Sequence, residues 1–201
     1  RNGFNTVQVY PDNLTLTYAV NGLGQATGIT ATGGGAFVSG ATYHPNGALA
    51  GFTHGNGIVH SLTQNARGLP DRSRALNGAA AVHDLSYDYD GNGNVVAISD
   101  GLAGARYNRS MTYDGLDRLK TTASPMYNGT IAYTYDVLDN IETLRAPAMQ
   151  GAGTRAQRYC YDSTNRLRFI RVGAPLPVDC NSGAAQTTFA FDAQGNLANK
   201  N

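Results

Sequence analysis

The sequence predicts an all-β fold, on the basis of its helix-poor composition, its strand and turn formers, and a short repeat. The 201 residues include 25 glycines, 19 threonines and 18 asparagines, but only one glutamate (Glu142) and two lysines (Lys120 and Lys200). The solvent-facing sides of helices are normally built from Glu, Lys, Gln and Arg, and here they could hardly be filled. Threonine and tyrosine favour strands, whereas glycine and asparagine favour turns.

Length and charge exclude several classes of protein. A chain of 201 residues has room for one large domain or two small ones. A net charge of +1 provides no basic field for nucleic acid or an anionic membrane, and no run approaches the roughly 18 apolar residues of a membrane span. The chain begins Arg1-Asn2-Gly3, without a leader, and stops at Asn201 without a closing element. We therefore expect a piece of a longer polypeptide.

A nine-residue motif recurs along the chain. Its clearest copy is Tyr133-Thr134-Tyr135-Asp136-Val137-Leu138-Asp139-Asn140-Ile141. Close copies occupy residues 87–95, 111–119, 133–141, 159–167 and 189–197, and weaker copies occupy 18–26, 42–49 and 62–70. The turn positions of the eight copies fall at 24, 47, 68, 93, 117, 139, 165 and 195, at intervals of 21 to 30 residues.

Each copy predicts one β-hairpin. Aromatic residues two positions apart point to the same face of a strand. The paired or single aromatics of the close copies are Tyr87, Tyr89, Tyr113, Tyr133, Tyr135, Tyr159, Tyr161, Phe189 and Phe191.

The residues after the aromatics predict a type I turn closed by a bulge. An Asp begins the turn, where its carboxylate can accept hydrogen bonds from the turn's own N–H groups. The residue three positions later must adopt positive φ, which Gly tolerates best, followed by Asn and Asp. The turn aspartates are Asp90, Asp114, Asp136, Asp162 and Asp192, and Asn21, His44 and Asn65 replace them in the weaker copies. The positive-φ candidates are Gly24, Gly47, Gly68, Gly93, Asp117, Asp139, Asn165 and Gly195.

The motif Tyr-x-Tyr-Asp-x-x-Gly-Arg-Leu, repeated at this period, resembles the YD-repeat or Rhs-repeat family. Five close and three loose copies extend from Tyr18 to Leu197, and Ala66-Arg67-Gly68-Leu69-Pro70 looks like a common variant. The resemblance predicts a single repeat region over residues 1–201 and a long sheet of consecutive hairpins that curves into a hollow shell. Such shells usually need more than eight repeats, so this chain would form an arc of the wall.

The function implied by the resemblance is containment. Shells of this kind enclose a C-terminal toxin domain in bacterial Rhs effectors and in the C component of toxin complexes. The expected partners are then the flanking repeats and the toxin domain of the same chain, and the expected location is secreted or at the bacterial cell surface. A similar barrel belongs to a cell-adhesion receptor in animal teneurins, so the alternative is a surface module that binds carbohydrate or another protein.

We expect no catalytic residue, cofactor or metal. Asp88-Tyr-Asp90-Gly-Asn92-Gly93 matches the opening of a calcium loop, but Ser99 occupies the place of the required Glu. The histidines (His44, His54, His60 and His83) are scattered along the sequence. His60 and Ser61 would point to opposite faces of a strand.

Two further features leave alternatives open. Cys160 and Cys180 are either free thiols or a disulfide that pins the Pro-rich excursion before Cys180. The five arginines of residues 155–171 either contact a phosphate or carboxylate or form a solvated face with neighbouring aspartates. They are Arg155, Arg158, Arg166, Arg168 and Arg171.

Overall fold

The structure is a computed structural model that describes residues 3–102, 104, 106–148, 154–173, 175–181 and 185–200. Over these ranges it consists of seventeen β-strands and a three-residue 3-10 helix, Pro125–Tyr127. The predicted all-β fold of tandem antiparallel hairpins is confirmed.

The chain divides into two compact units. The first comprises Arg1–Asp88 with Ile98–Ala105, and the second comprises Tyr89–Ala97 with Arg106–Asn201. The prediction of a single repeat region over residues 1–201 concerns sequence repetition and stays a prediction.

Within residues 7–89 and again within residues 109–200, every strand pairs antiparallel with the next strand in the chain. The first eight strands are β1 (Val7–Val9), β2 (Thr15–Val20), β3 (Ala26–Ala31), β4 (Ala36–Tyr43), β5 (Leu49–His54), β6 (Val59–Gln64), β7 (Pro70–Asn77) and β8 (Ala80–Tyr89). The remaining nine are β9 (Val95–Asp100), β10 (Arg109–Tyr113), β11 (Leu119–Ser124), β12 (Gly129–Tyr135), β13 (Ile141–Ala146), β14 (Arg155–Tyr161), β15 (Leu167–Val172), β16 (Ala185–Phe191) and β17 (Leu197–Lys200).

The repeat turns have the geometry that a type I turn with a bulge requires. At Asp136, the backbone N–H donates to the carbonyl of Asn140 at 2.9 Å, and the N–H of Asp139 donates back to the carbonyl of Asp136 at 3.3 Å. The register then shifts by one residue, because Tyr135 pairs with Ile141 while Thr134 pairs with Thr143. All eight residues chosen from the sequence have positive φ: Gly24, Gly47, Gly68, Gly93, Asp117, Asp139, Asn165 and Gly195.

The structure also contains hairpin turns that the repeat pattern does not include. Asn13 and Gly57 have positive φ and close the same kind of turn, between β1 and β2 and between β5 and β6. These turns lie at the opposite end of the strands from the repeat turns, because antiparallel strands reverse direction at each connection. Their signals were present as Tyr10-Pro-Asp-Asn13 and His54-Gly-Asn-Gly57.

The sheet buries little apolar volume in its own interior. Among the described residues, the buried hydrophobic residues are Ala41, Ala75, Ala156 and Cys160. The accessible surface is 12650 Å², whereas a compact domain of this mass, 21.2 kDa, exposes roughly 9,100 Å². Most side chains on the two faces of the sheet are therefore half-buried or exposed, and hydrogen bonds between hairpins carry much of the cohesion.

Replacing Gly93 by Val should destabilise the chain by about 1–3 kcal/mol, because a β-branched residue is strained at positive φ. Gly93 has φ of 98°. Urea unfolding measures the effect, and Gly91→Val is the matched control in the same turn. A Cβ at Gly91 meets no atom within 4 Å, and its φ lies outside the left-handed region. Equal losses of stability in the two variants would contradict the turn assignment.

Candidate functional site

Tyrosine hydroxyls connect successive hairpins in a series that we call the tyrosine ladder (Tyr43, Tyr113, Tyr135 and Tyr161). Each of these residues immediately precedes a repeat turn. Its hydroxyl donates to a backbone carbonyl of the preceding hairpin. The carbonyl belongs to the first residue after that hairpin's repeat turn, where the second strand of the hairpin begins. The distances are 2.6 Å from Tyr43 to Ala26, 2.8 Å from Tyr113 to Val95, 2.7 Å from Tyr135 to Leu119 and 3.0 Å from Tyr161 to Ile141.

Burial supports this role of the tyrosines. Desolvation raises the pKa of Tyr113, Tyr135 and Tyr161, so each hydroxyl keeps the proton that it donates. The nine aromatics selected from the sequence all lie on strands and are half-buried. The sequence predicted their shared face but not the carbonyl that each ladder hydroxyl reaches.

The turn aspartates bind their own turns. In the turn that Asp136 begins, one carboxylate oxygen accepts from the N–H groups of Leu138 at 2.8 Å and Asn140 at 3.0 Å. The other oxygen accepts from the side-chain amide of Asn140 at 2.9 Å. Asp90, Asp114, Asp162 and Asp192 repeat this arrangement with Asn94, Arg118, Arg166 and Asn196.

These hydrogen bonds lower the pKa of the turn carboxyls, since they favour the charged form. The main cause is the side-chain hydrogen bond from Asn94 for Asp90, from Arg118 for Asp114, from Asn140 for Asp136 and from Asn196 for Asp192. For Asp162 the main cause is the backbone N–H of Arg166. The carboxylate of Asp90, which is part of the calcium-like sequence, is turned onto its own loop.

The residues that follow the positive-φ positions link one turn to the next. The Asn94 amide donates to Asp117 at 2.7 Å, the Arg118 guanidinium to Asp139 at 2.7 Å, and the Asn140 amide to Asn165 at 2.6 Å. Asp117, Asp139 and Asn165 therefore combine a left-handed backbone with an acceptor side chain that glycine lacks. Arg118 also lies over the ring of Tyr135 at 4.7 Å, and Arg166 lies over the ring of Phe191 at 5.2 Å.

Three of the four histidines, scattered in the sequence, come together with a serine in what we call the histidine cluster (His54, His60, Ser73 and His83). The ring centroids of His60 lie 6.2 Å from His54 and 6.1 Å from His83. The Ser73 hydroxyl oxygen is 3.0 Å from Nε2 of both His60 and His83. His44 lies elsewhere, with Nε2 2.8 Å from the carbonyl oxygen of Leu62.

The sequence did not predict this cluster, because its members are brought together by the register of the strands. Phe52 pairs with His60, His60 with Ala75, and Ala75 with His83, so residues from four adjacent strands share one row. Burial lowers the pKa of His60, and the neighbouring charges of His83 and His54 lower it further. Across the described ranges, no group of three or more His, Cys, Asp or Glu side chains is arranged to hold a metal ion.

The sequence also did not predict an ion pair between the buried carboxylate of Asp84 and the half-exposed side chain of Arg72. Asp84 is 5% exposed and accepts two hydrogen bonds from Arg72, at 2.7 and 2.6 Å. The hydrogen bond from Arg72 is the main reason that the pKa of Asp84 is lowered. The cross-strand pairing of Arg74 with Asp84, with Arg74 Nε 3.5 Å from the carboxylate, places a second cation beside it.

Cys160 and Cys180 form a disulfide, with their Cα atoms 5.7 Å apart. The sequence left this pairing open beside the free-thiol alternative. Cys160, on β14, is 1% exposed. The disulfide joins Cys180, which lies between β15 and β16, to β14.

Solved structures with the same fold contain chains of a toxin complex. The chain superimposes on the crystal structure of TcdB2-TccC3 with a TM-score of 0.63 and 17% sequence identity, over 96% of this chain and 13% of that chain. TcdB2-TccC3-Cdc42 gives the same values. The Photorhabdus luminescens Tc holotoxin pore with the TccC3-D651A mutation gives a TM-score of 0.62 and 17% identity, over 96% of this chain and 12% of that one.

These likenesses concern the fold, and the chain spans about one eighth of the length of the chains it matches. No protein-family model matches the sequence, and no curated protein matches it. The described residues contain no helix of the length and apolar character needed to cross a membrane.

Replacing Tyr135 by Phe should lower the free energy of unfolding by about 1 kcal/mol, because the Leu119 carbonyl loses its ladder donor. Urea unfolding gives the measurement. Tyr133→Phe is the control on the same strand, since Tyr133 is not one of the ladder donors. If both changes cost the same, the hydroxyl bond does not join the hairpins.

The histidine cluster should make stability depend on pH. Since the pKa of His60 is lowered in the folded chain, the unfolded chain takes up the proton first as pH falls below about 6.5. The melting temperature should therefore drop between about pH 7.5 and about pH 5.5, and His60→Gln should reduce that drop. His44→Gln, outside the cluster, is the control. An unchanged pH profile in His60→Gln would show that the cluster does not control it.

Proposed function

We propose that this chain is a wall segment of an Rhs-type YD-repeat shell, and that the shell encloses a toxin domain at the C-terminal end of the same longer polypeptide. The observation that carries the proposal is the lateral joining of hairpins in a sheet with little core of its own. In the second unit, the tyrosine ladder and the turn-to-turn hydrogen bonds connect the four successive hairpins whose turns lie at 93, 117, 139 and 165.

A container wall has to satisfy a particular physical requirement. It must hold together along its own plane, because neither face can rely on a thick second layer when one encloses cargo and the other meets solvent. Repeats of this kind are stabilised by contacts with their nearest neighbours. The small set of buried hydrophobic residues and the large accessible surface support this role, as does the fold shared with TcdB2-TccC3.

The proposed role is structural rather than catalytic. General acid–base catalysis needs carboxyl groups whose environments push their pKa values apart. The turn aspartates instead have equivalent surroundings, and the pKa of each is lowered by bonds to its own turn. Membership of the YD-repeat family and a place among secreted bacterial polymorphic toxins, acting in competition between bacteria, are parts of the same proposal.

The open reading frame on both sides of this segment gives the first test. We expect further Tyr-x-Tyr-Asp repeats on both sides, then a short unrelated C-terminal domain and a small neighbouring gene for an immunity protein. A frame that ends in a membrane anchor or a cell-wall-sorting segment, without such a domain, would contradict containment and favour the adhesion module.

Protection of the cargo gives the second test. In the full-length protein, the C-terminal domain should resist trypsin at least about tenfold longer than the same domain expressed alone, because the wall excludes the protease. The measurement is mass spectrometry of timed digests. Equal digestion of the two forms would refute containment, and glycan-array binding by the 201-residue chain would then identify a carbohydrate module.

A further inference from the structure

Two residues between β15 and β16, Pro177 and Cys180, accept hydrogen bonds from arginine side chains of the sheet. We call the described part of this connection, Gly173 and Pro175–Asn181, the disulfide loop. The Nε–H of Arg158 donates to the carbonyl of Pro177 at 2.7 Å, and the Nε–H of Arg171 donates to the carbonyl of Cys180 at 2.9 Å. The disulfide from Cys180 to Cys160 fastens the loop to β14.

The two arginines form a matched pair. Arg158 and Arg171 are directly opposite each other in the β14–β15 register, and Cys160 lies two residues from Arg158 on the same face. The Arg158 side chain is 14% exposed and also forms an ion pair with Glu142 at 2.7 Å. The two guanidinium groups carry more positive charge than the Glu142 carboxylate beside Arg158 can neutralise.

The acceptors of the two arginines are uncharged backbone carbonyls, although a guanidinium group binds an anion more strongly. Guanidinium groups bind phosphate and carboxylate through charge-assisted hydrogen bonds, which are roughly twice as strong as those to neutral acceptors. The carbonyls of Pro177 and Cys180 thus occupy the positions that the oxygens of an oxyanion would take.

We propose that Arg158 and Arg171 form a binding site for an oxyanion, a phosphate or carboxylate group, that the disulfide loop covers while Cys160 and Cys180 are joined. Reduction of the disulfide uncovers the site. The inference depends on the second unit alone and is independent of the container function.

The redox step needs a dithiol as reductant. One of its thiolates attacks the sulfur of Cys180, which is half-buried, forms a mixed disulfide and releases Cys160 as a thiolate. The second thiolate of the reductant then attacks the mixed disulfide and releases Cys180. The disulfide gains two electrons, the two cysteines end as thiols, and the reductant ends as a disulfide. The cations Arg158 and Arg171 favour the departing Cys160 thiolate.

Reduction removes the covalent link between the loop and β14. The backbone bonds that remain between the loop and the sheet include the two arginine bonds and the Gly173 N–H bond to the Ala156 carbonyl at 3.2 Å. The released segment regains conformational entropy, and an anion competes directly for both guanidinium groups.

The test follows the arginine Nε–H signals of the 201-residue chain by NMR during titration with inorganic phosphate or with acetate. In the reduced chain, either anion should shift the Arg158 and Arg171 signals, and the stronger binder identifies the class of ligand. In the oxidised chain these signals should not respond. Hydrogen exchange of the loop amides should also accelerate at least about tenfold on reduction.

Matched variants separate the site from general charge effects. Arg171→Gln should abolish the response of the reduced chain. Arg155→Gln should preserve it, because Arg155 begins β14 three residues from Arg158 and, by strand alternation, points to the other face. The Cys160→Ser, Cys180→Ser double variant should behave like the reduced chain without any reductant.

Three results would overturn the proposal. One is an equal anion response in the oxidised chain, and another is full protection of the loop amides after reduction. The third is global unfolding of the reduced chain, seen as loss of its β-sheet circular dichroism, since the disulfide would then support the fold rather than cover a site. If only the double serine variant fails to fold, the reduced chain decides the question.

Discussion

The hydrogen bond from a ladder tyrosine to the preceding hairpin is the interaction on which the rest of the architecture depends. Two-stranded hairpins are marginally stable in water, and this sheet has few buried hydrophobic residues with which to hold them together. The tyrosine places a large half-buried ring on one face and uses its hydroxyl to reach across to the strand after the preceding turn. Packing and polar recognition are thus supplied by the same side chain, which explains why the aromatic position sits directly before the turn.

The turn beside that tyrosine could be predicted in detail because its chemistry is local. An Asp that caps its own loop and a residue with positive φ three positions later lie within five residues, so sequence alone identifies both. What sequence could not supply is the partner of the side chain at the left-handed position. From the sequence alone, Asp139 is a residue that tolerates the positive φ of this position less well than glycine does. In the structure it accepts a hydrogen bond from Arg118 of the neighbouring turn, so its side chain offsets part of the cost of its backbone conformation.

The histidine cluster and the Arg72–Asp84 pair illustrate the limit of sequence reasoning. Their members lie 6 to 29 residues apart in sequence, on different strands, and meet because of the pairing registers of strands β5 to β8. An error of one residue in the predicted register of a strand would place every side chain of that strand on the other face of the sheet. In the weaker copies, where Asn21, His44 and Asn65 replace the turn Asp, the sequence does not fix that register. The disulfide was within reach of sequence because only two cysteines exist, whereas its contacts with Arg158 and Arg171 were not.

The connections at the two ends of the strands differ: the repeat turns at one end are regular, whereas the connections at the other end vary in length and form. In the second unit, the repeat turns share one geometry, since their side chains bind one another from hairpin to hairpin. The connections at the other end differ in form: the 3-10 helix Pro125–Tyr127 joins β11 to β12, and the disulfide loop leads from β15 towards β16. An insertion at this end lengthens the interval between the turns at 165 and 195 to 30 residues, yet β14, β15 and β16 remain paired. Regular turns therefore preserve the sheet, while the opposite end can acquire chemistry, such as a covered arginine pair, without disturbing the spacing of the hairpins.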